Sequence, residues 1–207
     1  MKANNIQMSI IEQLTESFRC LPGVGPKTAQ RLVYHFLKNN RQQALRLAEH
    51  IEKAMKTVVQ CESCNNFCTD IRCSVCQNPH RNQSLLCIVE QPSDLLAIEQ
   101  SQVFNGYYFI LTAKISPLDG IGVEQLHLDK LERYLQANPV QEVIIALTPS
   151  VETQATLLYL QQLLAHYPHV KITQLAQGVP SGSELQFLDP FTIGTAIRNR
   201  ALIEEAF

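Results

Sequence analysis

The chain has 207 residues, enough for one large or two small domains, and 45% hydrophobic with 17% charged residues is an ordinary globular composition, neither disordered nor fibrous. Seventeen Lys and Arg against nineteen Asp and Glu leave a net charge of −2, which as a bare sum argues against a protein devoted to nucleic acid. No run approaches the ~18 apolar residues of a membrane span, and Met1–Glu12 lacks the pattern of a secretory leader, so a cytoplasmic protein without a membrane partner is expected.

The first sixty residues are helical in spacing. Ile6, Ile10, Leu14 and Phe18 recur at i+4; Ala29, Leu32, Val33, Phe36 and Leu37 form a second stripe; Ala44, Leu47, Ala48, Ile51, Met55 and Val58 form a third. Three amphipathic helices are therefore predicted. Residues 1–60 hold nine Lys and Arg against four Glu, a balance of +5, whereas residues 61–207 hold eight against fifteen acids, a balance of −7.

Between the first two helices lies Leu21-Pro-Gly-Val-Gly-Pro-Lys-Thr-Ala29. Gly23 and Gly25 permit a tight turn, and Pro26 suits the first position of a helix, where its missing N–H costs nothing. The helix N-terminus then offers free N–H groups to phosphate. Lys27, Arg31, Tyr34 and Lys38 follow at i, i+4, i+7 and i+11, a solvent stripe able to track a phosphate backbone. A dinucleotide-binding loop would need a preceding strand, and a Walker A loop would need glycine where Pro26 stands. A turn that merely packs two helices is the bland alternative. The combination of turn, helix terminus and basic stripe looks like a helix–hairpin–helix element, a sequence-nonspecific binder of DNA.

Cys61–Arg81 loses periodicity and is dense in Cys, Asn, Ser and Pro. Cys61-x-x-Cys64 and Cys73-x-x-Cys76, eight residues apart, supply two thiolate pairs that close the tetrahedral sphere of one structural Zn²⁺. A redox pair and unliganded thiols are the other readings. Cys68 is a spare between the pairs, while Cys20 and Cys87 read as small buried apolar residues.

Short apolar runs follow at Leu85–Val89, Tyr107–Leu111, Val143–Leu147 and Val170–Thr173, separated by helical patterns at Asp94–Gln100, Gln125–Gln136 and Thr153–Tyr167. This alternation predicts an α/β fold with a mostly parallel sheet. Ligands of such sheets collect beyond the carboxyl ends of the strands, where Glu90, Asp119 and Glu152 fall. Together they could hold Mg²⁺, but Asp119-Gly120 also reads as a turn and Glu152 as a favourable first-turn acid of a helix. Six of the eight glycines pair at Gly23/Gly25, Gly120/Gly122 and Gly178/Gly182, marking three loops where backbone bends or approaches something closely.

Taken in order, the glycine hairpin, the four-cysteine finger, Cys87-Ile-Val-Glu90, Ser116-Pro-Leu-Asp-Gly-Ile-Gly122, Thr148-Pro-Ser-Val-Glu152 and Gly178-Val-Pro-Ser-Gly-Ser-Glu-Leu185 closely resemble the RecR family of bacterial recombination proteins, over essentially the whole chain. The resemblance implies a helix–hairpin–helix DNA-binding domain over 1–60, a zinc finger over 61–81, a Toprim domain over 84–178 and a C-terminal segment over 179–207 in subunit contacts. It implies DNA-touching residues at Lys27 and Arg31, zinc ligands at Cys61, Cys64, Cys73 and Cys76, and the Toprim glutamate at Glu90. Gly23, Gly25 and Lys38 join the DNA-binding set, and Glu90 and Glu152 mark the face toward protein partners. Family members are recombination mediators that act with RecO and RecF to load RecA onto single-stranded DNA coated by single-strand-binding protein, as ring-shaped homo-oligomers, here expected to be tetrameric. Catalytic Toprim enzymes add an Asp-x-Asp to the glutamate, and Ala146-Leu147-Thr148 offers none, so no enzyme activity is expected. Many relatives carry Asn-Pro-Thr-Val-Glu-Gly-Glu where this chain has Thr148-Pro-Ser-Val-Glu-Thr-Gln154. The rival functions are a Mg²⁺-dependent Toprim nuclease or primase, and a zinc-ribbon interaction module of the transcription machinery.

Overall fold

A computed structural model describes residues 8–113, 122–126, 128–148, 151–176, 183 and 185–198. The chain divides into two compact units, Met1–Val58 and Val59–Phe207.

The first unit is three helices, α1 (Ile10–Phe18), α2 (Pro26–Asn39) and α3 (Arg41–Thr57). Helix α1 begins where Ser9 and Glu12 form a capping box: the Ser9 N–H donates to the Glu12 carboxylate at 2.7 Å, and the Glu12 N–H donates to Ser9 Oγ at 3.3 Å. Among the described residues of this unit only Ala29 and Val33, both on α2, are buried; the Phe18 and Phe36 rings stack at 6.0 Å between centroids. The apolar stripes of α1 and α3 are real but bury no residue within the chain: Ile10 remains 76% exposed and Ile51 54%. Amphipathic spacing identifies a face without identifying what covers it. Ile6, the first residue of the predicted stripe, lies outside the described residues.

The second unit opens with a short antiparallel ladder, β1 (Val59–Gln60) with β2 (Phe67–Cys68), and a single helical turn, α4 (Ser74–Gln77). An α/β layer follows, with β3 (Leu85–Val89), α5 (Pro92–Ser101), β4 (Tyr107–Ile110), α6 (Leu128–Ala137), β5 (Glu142–Ala146), α7 (Val151–Leu164) and β6 (Lys171–Gln174). A C-terminal helix, α8, spans Pro190–Arg198. The four strands are all parallel, in the order β4-β3-β5-β6. Of the helix predicted over Gln125–Gln136, Gln125 and Leu126 belong to a 3₁₀ turn, Val123–Leu126, and α6 begins at Leu128.

Strand alternation sorts the core onto two faces. Leu86, Ile88, Phe109, Val143 and Ile145 pack with Leu131 and Leu135 of α6 and Leu160 and Leu164 of α7. Cys87, Val89, Tyr108 and Ile110 point the other way, against Leu95 and Ile98 of α5. Each fully buried Leu, Ile or Phe contributes roughly 1.5–3 kcal/mol of transfer free energy, so the stability of this unit resides in the sheet and its helices. The chain steps from β3 outward to β4 and then returns to the opposite side of β3 for β5. The carboxyl ends of β3 and β5 therefore flank the point where strand order reverses, the usual ligand-accepting crevice of such sheets.

The cysteine-rich segment seals the outer edge of this sheet. The Ile110 N–H on edge strand β4 donates to the Cys64 carbonyl at 2.9 Å, and Val75 packs into the α5-side core. At the exit from the segment, the Arg81 guanidinium pairs with the Glu99 carboxylate, donates to the Gly106 carbonyl at 2.8 Å and lies 5.9 Å from the centre of the Tyr108 ring.

Candidate metal centre and nucleic-acid face

The hairpin has the predicted shape. After α1, the Val24 N–H donates to the Leu21 carbonyl at 3.1 Å and closes a turn in which Gly23 adopts φ +78°, a left-handed conformation that favours glycine. Gly25 precedes α2 with ordinary extended angles and no side-chain cap, leaving the first-turn N–H groups without a side-chain acceptor. A Cβ at either glycine would meet nothing within 4 Å. The open side of this turn leaves backbone free to approach a ligand.

Lys27, Arg31, Tyr34 and Lys38 are all exposed on α2, opposite buried Ala29 and Val33. The helix contains no acidic residue, and none of its three cations pairs with a described acid. The positive end of the helix dipole and the basic stripe thus attract anions from the same surface. Cys20, expected to be buried, is exposed: α1 ends at Phe18, so the next residues leave the apolar stripe and enter the turn.

The four finger cysteines converge. Their sulfurs all lie within 4.8 Å of one another, with Cys61, Cys64 and Cys73 buried and Cys76 partly so. A tetrahedral Zn²⁺ with Zn–S of about 2.3 Å would set its sulfurs about 3.8 Å apart, and Cys64 and Cys73 already stand at 3.5 Å, far beyond disulfide length. Each pair is shaped by its own backbone. Asn65, at φ +63°, turns the first knuckle as its N–H donates to the Cys61 carbonyl at 3.1 Å; Cys73 caps α4 to form the second. The Cys73 N–H also donates to Cys61 Sγ at 3.3 Å.

The four thiols also shift one another's proton affinity. Hydrogen bonds from Cys64 first, then Cys73 and Cys76, drive the Cys61 thiol well below its ordinary value, while Cys64 and Cys76 are driven up, chiefly through their contact with the Cys61 sulfur. Cys73 is also lowered, to about 6: contact with the Cys61 sulfur raises it, but Cys64 and Cys76 outweigh that. Two thiols are thus favoured as thiolates and two are not, and a shared cation would favour deprotonation of all four. Cys68 stands aside and donates to the Asp70 carbonyl at 3.0 Å. Cys87 is buried in β3, and burial pushes its thiol up to about 12.

At the strand ends, Glu90 is 8% exposed. Its Oε1 accepts from the Thr148 N–H at 3.0 Å and from Thr153 Oγ1 at 3.4 Å, which ties the segment after β5 and the start of α7 to the end of β3. Glu152 occupies the first turn of α7. Asp119, Gly120, Gly178 and Gly182 lie outside the described residues. Among the described residues the cysteines form the only group of three or more metal-binding side chains.

Family models match three successive stretches: RecR, helix-hairpin-helix over residues 11–55, Toprim domain over 84–176, and RecR, C-terminal over 178–201. The recombination protein RecR of Legionella pneumophila (strain Philadelphia 1) is 52% identical over 196 residues, covering 95% of this chain and 98% of its own length. The chain belongs to the RecR family. A more distant RecR, from Psychrobacter cryohalolentis, is 40% identical over 192 residues, covering 93% of this chain and 97% of its own. The RecR frame fits the geometry: a helix–hairpin–helix at the N-terminus, a cysteine cluster suited to zinc, and a Toprim domain around a parallel four-stranded sheet.

Two features were missed from sequence. Thr153 helps hold Glu90, and Asn65 with Lys130 joins the first cysteine turn to the sheet. An Asn directly after Cys-x-x-Cys is a signal for a left-handed knuckle residue, but its partners lie far along the chain.

Proposed function

We propose that this chain is a non-enzymatic mediator of DNA recombination and repair. It binds single- and double-stranded DNA without sequence preference through Gly23, Gly25, Lys27, Arg31 and Lys38, as part of a homo-oligomeric, tetrameric ring. It acts with RecO and RecF to promote RecA loading onto DNA coated by single-strand-binding protein. Cys61, Cys64, Cys73 and Cys76 hold one structural Zn²⁺ per chain, and the strand-end surface around Glu90 and Glu152 faces protein partners. Residues 1–60, 61–81, 84–178 and 179–207 divide this work as DNA-binding domain, finger, Toprim domain and subunit-contact segment. The work is done in the cytoplasm.

The observation that carries the reading is α2, an acid-free helix with three exposed cations that begins at an uncapped, glycine-built turn. Exposed apolar stripes on α1 and α3 support self-association, since surfaces of this kind are covered in a stable assembly. The sequence Ala146-Leu147-Thr148, in place of an Asp-x-Asp, supports mediation over catalysis. The test is DNA affinity of a Lys27→Ala/Arg31→Ala variant across a salt series, alone and with RecO. We expect affinity to fall about tenfold at low salt and the log–log salt slope to become shallower by about 1.5, because each phosphate contact contributes roughly 0.7–0.9. Wild-type affinity and slope in a folded variant would remove the hairpin from the DNA interface.

A further inference from the structure

We propose that Asn65 is a clamp that couples the four-cysteine centre to the edge of the Toprim sheet, so that the finger is a metal-locked cover for strand β4. The proposal rests on the zinc reading above and extends it to a residue that is neither a metal ligand nor a member of the sheet.

Asn65 is 2% exposed, and both the nitrogen and the oxygen of its side-chain amide are engaged. Nδ2 donates to the Ile110 carbonyl at 3.0 Å, and Oδ1 accepts from Lys130 Nζ of α6 at 2.9 Å. The preceding peptide completes the link, because the Cys64 carbonyl accepts the Ile110 N–H at 2.9 Å. Ile110 on β4 is thus gripped at both its N–H and its C=O by two successive residues, one of them a metal ligand. Strand β4 is an outer strand of the sheet, and an uncovered edge invites pairing with another chain.

The same residue must also sit at φ +63°, which Asn tolerates better than most side chains. Groups just outside a metal's ligand shell typically change its affinity 10–100-fold by fixing ligand orientation. Since coupling is reciprocal, whatever the clamp adds to metal retention, the metal adds to edge closure.

Asn65→Gly tests this without straining the backbone, because glycine accepts the left-handed turn and removes only the amide. Lys130→Met removes the outer hydrogen bond alone. Metal content is measured first, then the rate of zinc transfer to a chromogenic chelator, with amide exchange at Ile110 followed in parallel. We expect about one zinc per chain in all three proteins, release about tenfold faster in Asn65→Gly and about threefold faster in Lys130→Met. Ile110 exchange should accelerate in Asn65→Gly and in chelated wild type, while Val143 in β5 stays protected. Zinc retained at one per chain with wild-type release in Asn65→Gly would overturn the clamp alone. A chain purified under reducing conditions without any zinc would overturn the metal reading and the clamp with it. Unchanged Ile110 exchange after chelation would show that the cover is not metal-locked.

Discussion

The N-terminal helices and the α/β unit solve opposite problems with the same kinds of residue. In the N-terminal region the sequence carries a balance of +5, and among the described residues the helices bury only Ala29 and Val33, while large apolar groups such as Ile10, Leu45 and Met55 stay exposed. The second unit carries −7, yet closes two apolar layers around a parallel sheet and adds a cysteine cluster. The difference teaches where each property resides. Buried apolar layers are concentrated around the sheet, and the basic, acid-free stripe belongs to the helices; both units leave apolar groups uncovered, Val103 and Phe187 in the second as much as Ile10 and Met55 in the first. The net charge of −2 is a near-cancellation of two surfaces with different work and carries no information about either.

The harshest way to break this contrast is to remove the proposed zinc. Cys64→Ser, or exhaustive chelation, is expected to unfold the cysteine-rich segment, because structural zinc contributes on the order of 10 kcal/mol to small zinc-dependent folds. Amide exchange would show it: the Cys61 N–H, now bonded to the Asn66 carbonyl at 2.7 Å, should lose protection. Helices α1–α3 supply no ligand and should keep theirs. Loss of protection in those helices would show that the two units do not hold their stability separately.

A gentler comparison sets one buried leucine against one exposed isoleucine. Leu131, fully buried between α6 and the sheet, should cost about 3 kcal/mol as Leu131→Ala, transfer and cavity terms included. Ile51 is 54% exposed, and Ile51→Ala should change the stability of the chain by less than about 0.5 kcal/mol. Its effect should appear instead as a lower assembly mass by sedimentation or light scattering. An Ile51→Ala protein of unchanged mass that melted as early as Leu131→Ala would end the assignment of this face to self-association.

How much of this was legible in the sequence depends on the range of the interaction. The strand Leu85–Val89 reads off its continuous apolar run to the residue, because a doubly covered parallel strand needs no alternation. The cysteine spacing fixes its own convergence, since each pair is closed by local backbone. The hairpin is equally local. Strand order is not, and neither is the grip of Asn65 on Ile110, a contact across 45 residues with no counterpart in composition or periodicity. The misreading of Cys20 has the same origin: its place beyond α1 depends on where the helix stops, which periodicity locates only to within a turn.

The two hairpin glycines sharpen the contrast between stability and function within a single turn. Gly23→Ala places a side chain at φ +78° and should cost about 1–2 kcal/mol, with DNA affinity falling both through lost folded protein and through the methyl added to the open turn. Gly25→Ala meets no strain and no neighbour, so thermal stability should hold. The added methyl would instead stand on the open side of the turn and weaken DNA binding by a few-fold at constant salt. If both variants lost stability equally, Gly25 would be a packing residue and the phosphate approach would have to lie elsewhere on α2.

The smallest expected effect concerns ion pairs, and it separates the units again. Among described residues the first unit has Arg19 with Glu16 and Lys56 with Glu52, both exposed and worth a few tenths of a kcal/mol. The second has one such exposed pair, Arg133 with Asp129, and adds Arg81 with Glu99, whose side chains are 11% and 27% exposed; the Tyr108 hydroxyl donates to Glu99 at 2.6 Å. Burial alone would raise the Glu99 carboxyl, but Arg81 and Tyr108 outweigh it and hold the group below its ordinary 4.5. A carboxyl depressed in the folded state contributes stability that is complete above the unfolded value and drains away as pH falls through the folded one. Stability should therefore decline below about pH 4.5, and Glu99→Gln should flatten part of that decline. Asp189, also held low, first by the Thr192 hydroxyl, titrates in the same range, so only the difference between wild type and Glu99→Gln isolates the pair. Denaturant midpoints measured from pH 3 to 7 would read that difference directly. Identical acid limbs in the two proteins would mean that Arg81 fastens the finger to the sheet through the Gly106 carbonyl and the Tyr108 ring, with its charge contributing nothing to the linkage.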